Sequence, residues 1–400
     1  MTYQPEQIYI DRYAAVLVNY ALNSGHGIKP DEVVFLQVPE SAKLLLLALN
    51  RAVLQAGAHP IIQYVPDEME RQFFEYASNH QLEFFPTAFY KGRAIQADHT
   101  ITIIAETNKH ELEGIDPKKI MTRRSVRKPY QKWLNTKENN GKYTWTLGLY
   151  PTESMAKEAG MTLEECWSQV IKACYLDFID PVTQWKSLTT DLDRLKLKLN
   201  KLKIATLRLT AVNTDLTIKL GTDRQWLGGS GRNIPSFELF ISPDWRGTEG
   251  YIYFDQPLYY AGQVIKDITL EFKKGLVINA TAKVGQNILT EMINVKNANK
   301  IGEYSLTDTR FSRIDKYMAE TLYDENFGGH YGNTHLALGS AYQESFTGNI
   351  SKMKTAEWTK HGFNQSVIHT DIIATTPRLV VATLIDNTNI AIYRDGRFLI

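Results

Sequence analysis

Cysteine is almost absent, with only Cys166 and Cys174 in 400 residues. They stand eight apart in one helix-like stretch, which excludes a disulfide framework and a four-thiolate metal site. An excess of either charge is also missing, since 45 Lys and Arg face 44 Asp and Glu, a net charge of +1. No whole-chain field exists to gather nucleic acid or an anionic membrane, and neither is expected as a partner. The strongest apolar run, Leu44 to Leu49, stops at Asn50-Arg51, far short of the roughly 20 residues that cross a bilayer. The opening MTYQPEQIYIDRY has neither the basic nor the apolar segment of a secretory signal. Together these absences predict a cytoplasmic protein. No Gly-x-Ser-x-Gly elbow occurs, and neither cysteine has a local nucleophile signature, so Ser or Cys nucleophilic catalysis is disfavoured. GGSGRN (228–233) lacks the Lys-Ser/Thr of a phosphate loop and reads as a flexible turn.

What is present is an ordered alternation of patterns. EVVFLQV, SAKLLLLALNRAVLQAGA and PIIQYV, spanning residues 32–65, read as strand, helix and strand. A polar, aromatic helix at about 66–79 leads to QLEFF, taken as the next extended segment, and HTITIIAE (99–106) follows another helix-length stretch. Such an order predicts parallel strands joined by right-handed crossovers and covered on both faces. Residues 111–205 read as mainly helical around one strand, YTWTLGLY (143–150). The run DLDRLKLKLNKLKIATLRL sets Leu192, Leu195, Leu199 and Leu202 at helical spacing among lysines, which suits a helix with one solvated face. After about 206 the texture turns to short strands such as TDLTIKL and LVINATAKV, with a helix at about 286–299 and a closing hairpin, TNIAIY-RDG-RFLI. The fold class expected is α/β: an N-terminal open α/β domain over 1–205 and a C-terminal β-rich α+β domain over 206–400.

Four of the nine histidines, His330, His335, His361 and His369, fall within forty residues near the C-terminus. In His369-Thr370-Asp371 the i, i+2 spacing puts an imidazole and a carboxylate on one face of a strand, within reach of one cation. Such ligands suit Zn²⁺, Co²⁺ or Mn²⁺; a hydrogen-bonded structural pair is the competing reading. GGHYGNTHLALGSAY (328–342) anchors His335 on an apolar run and places Tyr342 seven residues on. NIPSFELF (233–240) and IGEY (301–304) each set a carboxylate, Glu238 and Glu303, among apolar residues. Burying a carboxylate is costly unless it is protonated or bound to a cation.

In that order, NIPSFELF, the GEY after a helix, GNTHLALGSAY and VIHTD resemble the thermophilic metallo-aminopeptidases of the aminopeptidase T and aminopeptidase S type. Asp116-Pro117, LYPTESMAKEAGM (149–161), DPVTQW (180–185) and TDLTIKL (214–220) extend the resemblance over most of the chain. It implies a metal centre in the C-terminal domain, with Glu238, Glu303, His335, Tyr342, His369 and Asp371 on the family's metal positions. It implies two divalent ions, Zn²⁺ or Co²⁺ before Mn²⁺ or Mg²⁺, and hydrolysis of N-terminal residues from short peptides by a hydroxide held between them. Glu303 is the first choice for the carboxylate that also handles the proton, and Tyr342 either ligates a metal or donates to the oxyanion. A homodimer with an enclosed site, acting on peptides with a free N-terminus, belongs to the same expectation. One departure stands out: the family's usual pair of adjacent glutamates is here Phe237 and Glu238. His330 is left without a role. Another dinuclear amidohydrolase, or a non-catalytic peptide-binding protein on the same fold, are the alternatives.

Overall fold

The computed structural model of the protein describes residues 3–260, 263–350 and 353–400. Contacts divide the chain into two units, one of residues 1–186 with 230–235 and one of residues 187–229 with 236–400.

The first unit begins with α1 (Gln7–Val16), β1 (Val33–Pro39), α2 (Lys43–Gln55), β2 (His59–Val65), α3 (Met69–Tyr76), α4 (Asn79–Glu83) and α5 (Thr87–Gln96). It continues through β3 (His99–Ile104), α6 (Pro117–Val126), α7 (Lys128–Asn139), β4 (Thr144–Leu149), α8 (Glu153–Glu158) and α9 (Leu163–Ala173). In chain order α10 (Pro181–Lys201), β5 (Ile204–Ala211) and β6 (Thr214–Lys219) follow, and β7 (Asn233–Ile234) then returns to the first unit. Its five strands form an all-parallel sheet in the order β2-β1-β3-β4-β7. Val34, Leu36 and Val38 on one face of β1 are fully buried, and Val33 and Phe35 on the other are buried as well, as a strand covered on both faces requires. QLEFF does not form a strand. Ser78 Oγ accepts the Gln81 N–H while the Gln81 side chain accepts the Ser78 N–H, and this reciprocal cap winds residues 79–83 into α4.

The second unit adds β8 (Glu238–Ile241), β9 (Glu249–Phe254), β10 (Leu258–Tyr260), β11 (Gln263–Lys273), β12 (Leu276–Val284), α11 (Gln286–Asn294) and β13 (Ile301–Thr307). After these come α12 (Thr321–Asp324), β14 (Asn333–Gly339), α13 (Thr355–Lys360), β15 (His369–Ala374), β16 (Arg378–Leu384), β17 (Asn389–Arg394) and β18 (Arg397–Phe398). The division expected at 205/206 falls inside β5, a strand of this unit. One antiparallel sheet has nine strands, and a second has four, in the order β15-β14-β13-β8. Every residue of β13 and β14 is buried. Alternation gives the four-stranded sheet one mainly apolar face, with Tyr304, Leu306, Leu336 and Leu338 fully buried; each of the leucines contributes roughly 1.5–3 kcal/mol on leaving water. Its other face carries the polar side chains. Among the described residues no helix is long and apolar enough to cross a membrane.

Candidate metal centre

Strand register assembles this polar face. On β13, Ser305 stands opposite His335 of β14 and Phe240 of β8, while Thr307 stands opposite Glu238. On β15, Asp371 pairs with Ala337 and His369 with Gly339. With a period of two along each strand, Glu238, Glu303, His335, His369 and Asp371 all project to the same side. The longer β15 side chains stand beside the shortest ones of β14. Gly339 is required where it is, because its φ is +111° and a Cβ there would lie 2.1 Å from the Ile368 carbonyl oxygen.

His335 is 1 % exposed. Its Nε2 lies 3.1 Å from Glu303 Oε1, 3.2 Å from Glu238 Oε2 and 3.9 Å from Asp371 Oδ1, so three carboxylates surround one ring nitrogen. Ligand atoms of Glu238, Glu303 and His335 all lie within 4.8 Å of one another. His369 Nδ1 donates to the Ser340 carbonyl oxygen at 2.7 Å, an anchor that turns the other nitrogen inward. His369 Nε2 then faces Asp371 Oδ1 at 3.4 Å and Glu303 Oε2 at 3.7 Å. Tyr342 packs edge-on against the His369 ring, centroids 4.8 Å apart, and leans on Phe240 at 5.6 Å. Its backbone N–H donates to Ser242 Oγ.

The electrostatics are those of acids held too close together. Burial and then the charge of Glu238 push the Glu303 carboxyl up to about 7, against the pull of His335 and His369. Burial opposes charge on both histidines, yet Glu238, Glu303 and Asp371 raise His335 well above its ordinary value, and Asp371 and Glu303 raise His369 to about 10. Asp371 is buried as well, but His369 and His335 hold it below the usual range. Desolvation at the hydroxyl, followed by the surrounding carboxylates, raises Tyr342 well above 10 even though 42 % of the residue is exposed.

Three polar atoms of the cluster, Glu303 Oε2, Asp371 Oδ1 and His335 Nδ1, are buried without a hydrogen bond. Orphaned polar atoms are rare in folded proteins and call for a partner. Carboxylate oxygens and imidazole nitrogens converging on one point fit a divalent cation by number, charge and donor type.

Two residues of the cluster carry no motif of their own. Glu325, buried just after α12, is pushed well above the usual carboxylate range by burial and by Glu238, Asp371 and Glu303. In LYDENFGG it stands between Asp324 and Asn326, with no apolar neighbour to mark it in advance. Ser305 is fully buried and donates from Oγ to Glu238 Oε2 at 2.8 Å; its place two residues after Glu303 put it on the same face in advance. Phe237 is fully buried too, and its N–H donates to Asn326 Oδ1 at 2.7 Å. His330 is exposed, with its ring 6.2 Å from that of Tyr331. His361 pairs through Nδ1 with Asp223.

Comparison with known proteins follows the same lines. The chain is 26 % identical over 418 aligned residues to aminopeptidase PepS of Streptococcus thermophilus, covering 98 % of each. It is 27 % identical over 413 residues to aminopeptidase AmpS of Bacillus subtilis, covering 97 % of this chain and 98 % of that one. Aminopeptidase T of Thermus thermophilus is 24 % identical, with 98 % of each covered. The solved structure of wild-type AmpT from Thermus thermophilus superposes with a TM-score of 0.84 at 22 % identity, over 98 % of this chain and 99 % of that one, and so has the same fold. The pattern of the thermophilic metalloprotease family, M29, matches residues 6–398, and the chain belongs to that family.

Proposed function

We propose that this chain is a metal-dependent aminopeptidase that removes N-terminal residues from short peptides, with its metal centre on the polar face of the four-stranded sheet. The observation that carries the reading is the ring of carboxylates around the buried His335 Nε2, with orphaned oxygens on Glu303 and Asp371. In this reading Glu238, Glu303, His335, His369 and Asp371 hold two divalent ions, Zn²⁺ or Co²⁺ before Mn²⁺ or Mg²⁺, with Tyr342 at the rim. When bound, such ions supply Lewis acidity, lowering the pKa of a water and polarising the scissile carbonyl.

The side chains do the rest. Glu303, beside the water as it becomes a nucleophile, accepts the proton released and returns it to the leaving amine. Tyr342, whose hydroxyl stays protonated, donates a hydrogen bond to the carbonyl oxygen as its charge grows. Glu238, Glu325 and Asp371 line the pocket with carboxyl groups, and a free α-amine is the group that such a pocket accepts. An amide-capped N-terminus offers neither the charge nor the lone pair, which makes the enzyme an exopeptidase. A cytoplasmic homodimer is part of the same proposal.

The test is amino-acid release from a short peptide and from its N-acetylated twin, with added Co²⁺ or Zn²⁺ and again after chelation. Metal-dependent release from the free peptide alone is expected. Cleavage of both peptides points instead to a broader amidohydrolase, and cleavage of neither by the metal-loaded protein to a peptide-binding role.

A further inference from the structure

In the first unit, α6 and α7 carry a charge imbalance that the balanced total conceals. Between Pro117 and Lys137 there are eight Lys or Arg and no Asp or Glu, so all 44 carboxylates of the chain lie elsewhere. One of the eight, Lys137, has an ion pair, 3.7 Å from Asp98; among the described residues none of the other seven pairs with a carboxylate. Arg123 Nη1 and Lys119 Nζ donate to the backbone oxygens of Phe84 and Phe74. Arg124, Arg127, Lys128 and Lys132 are exposed and make no side-chain hydrogen bond among the described residues. Burial, and then the like charge of Arg127, holds the Arg123 guanidinium below its ordinary value.

Like charges crowded without counter-charges repel one another, and an anionic partner relieves that repulsion. We propose that the outer face of α6 and α7 is a docking surface for acidic peptide segments. Phe73 lies under the Arg123 guanidinium at 4.7 Å, and the two rings of α7, Tyr130 and Trp133, are half-buried against Tyr90 and Phe85 at 4.9 and 6.1 Å. Nucleic-acid binding of the stacking kind needs free ring faces, and α6 and α7 themselves offer charge as their main recognition element. Of the apolar residues on α6 and α7, Met121, 57 % exposed, is the large one that faces solvent, too little for insertion into a bilayer. The choice of a peptide as the polyanion rests on the peptidase reading; the cationic face does not.

The probe is a fluorescein-labelled, N-acetylated Glu/Gly-repeat peptide, blocked at its amine so that binding is separate from turnover, with a Gln/Gly repeat as control. Anisotropy should show binding of the Glu peptide that weakens as salt rises, with no binding of the Gln peptide. The quadruple variant R124E/R127E/K128E/K132E should lose at least about tenfold in affinity, with the milder pair R124Q/K132Q intermediate and available if the quadruple variant does not fold. Equal binding of both peptides, or a folded variant that binds as the parent does, overturns the proposal. So does tighter binding of a single-stranded RNA oligomer or of phosphatidylserine vesicles than of the Glu peptide. Cleavage of an uncharged dipeptide by the metal-loaded protein should be the same in parent and variants; if no form cleaves it, the aminopeptidase reading fails while the anisotropy still decides the docking surface.

Discussion

His99 and His335 are both buried histidines on strands, one in each unit, and they are treated in opposite ways. His99, 3 % exposed on β3, closes both ring nitrogens: Nδ1 meets Thr144 Oγ1 and Nε2 meets Glu32 Oε2, each at 2.8 Å. His335, 1 % exposed on β14, leaves Nδ1 without a hydrogen bond and turns Nε2 toward three carboxylates, two of which keep an orphaned oxygen of their own. Burial is therefore uninformative about the role of a histidine, whereas the state of its hydrogen bonds is decisive. A closed network stabilises the fold. An open, acid-rich one leaves donors and acceptors that a cation can satisfy.

Substituting the two residues separates these roles most sharply. His335→Ala should lower kcat/KM by roughly 10³-fold or more while the far-UV spectrum stays native. His99→Ala should leave activity per folded molecule unchanged and reduce unfolding free energy by about 1–3 kcal/mol, since the Thr144 and Glu32 groups lose their partner. If the His335 variant kept full activity, or if His99→Ala abolished activity in the folded protein, the contrast would collapse.

A second consequence concerns pH. In the metal-free protein Glu303 holds a proton up to about 7 and His369 up to about 10. A cation must displace both protons, so its apparent affinity should rise with pH between roughly 5 and 9 and its binding should release protons to the buffer. For Glu303 the folded pKa lies above the unfolded one, so the stability it gives the metal-free protein is present below about 4.5 and is lost as pH climbs through about 7. Calorimetry in buffers of different ionisation enthalpy measures the proton release; pH-independent affinity would contradict it.

A smaller effect tests the support behind the cluster. Ser305→Ala removes the hydroxyl that fixes Glu238 Oε2, and metal affinity should fall by roughly 10–100-fold. Cys at the same position is not a substitute donor of equal strength, whereas Thr should restore part of the loss.

Much of this was legible in advance, and the reasons are local. The period of two in His369-Thr370-Asp371 already placed the pair on one face of β15, and the carboxylates of FELF and GEY announced themselves by their apolar neighbours. The strand and helix order of residues 32–65 follows from lengths and apolar runs, and it appears as β1, α2 and β2. What stayed hidden lies where periodicity is too short to read. Glu325 sits in irregular chain after a four-residue helix, and the two-residue strand Asn233–Ile234, which joins the parallel sheet beside β4, is below the length at which any pattern exists. QLEFF reads as extended from the alternation of strands and helices around it, yet the Ser78 cap winds Gln81–Glu83 into α4 and leaves Phe84 and Phe85 in irregular chain. The convergence of Glu238, Glu303, His335, His369 and Asp371 depends on three separate registers, which only the assembled sheet supplies.

Metal uptake tests the central claim most directly. The chelator-stripped protein is dialysed against Co²⁺ and read by its visible absorption and metal content. The account predicts tight uptake by the parent and by His99→Ala, with uptake lost in His335→Ala and Glu303→Gln although both remain folded. Undiminished uptake by the His335 and Glu303 variants would contradict it and place the metal centre elsewhere.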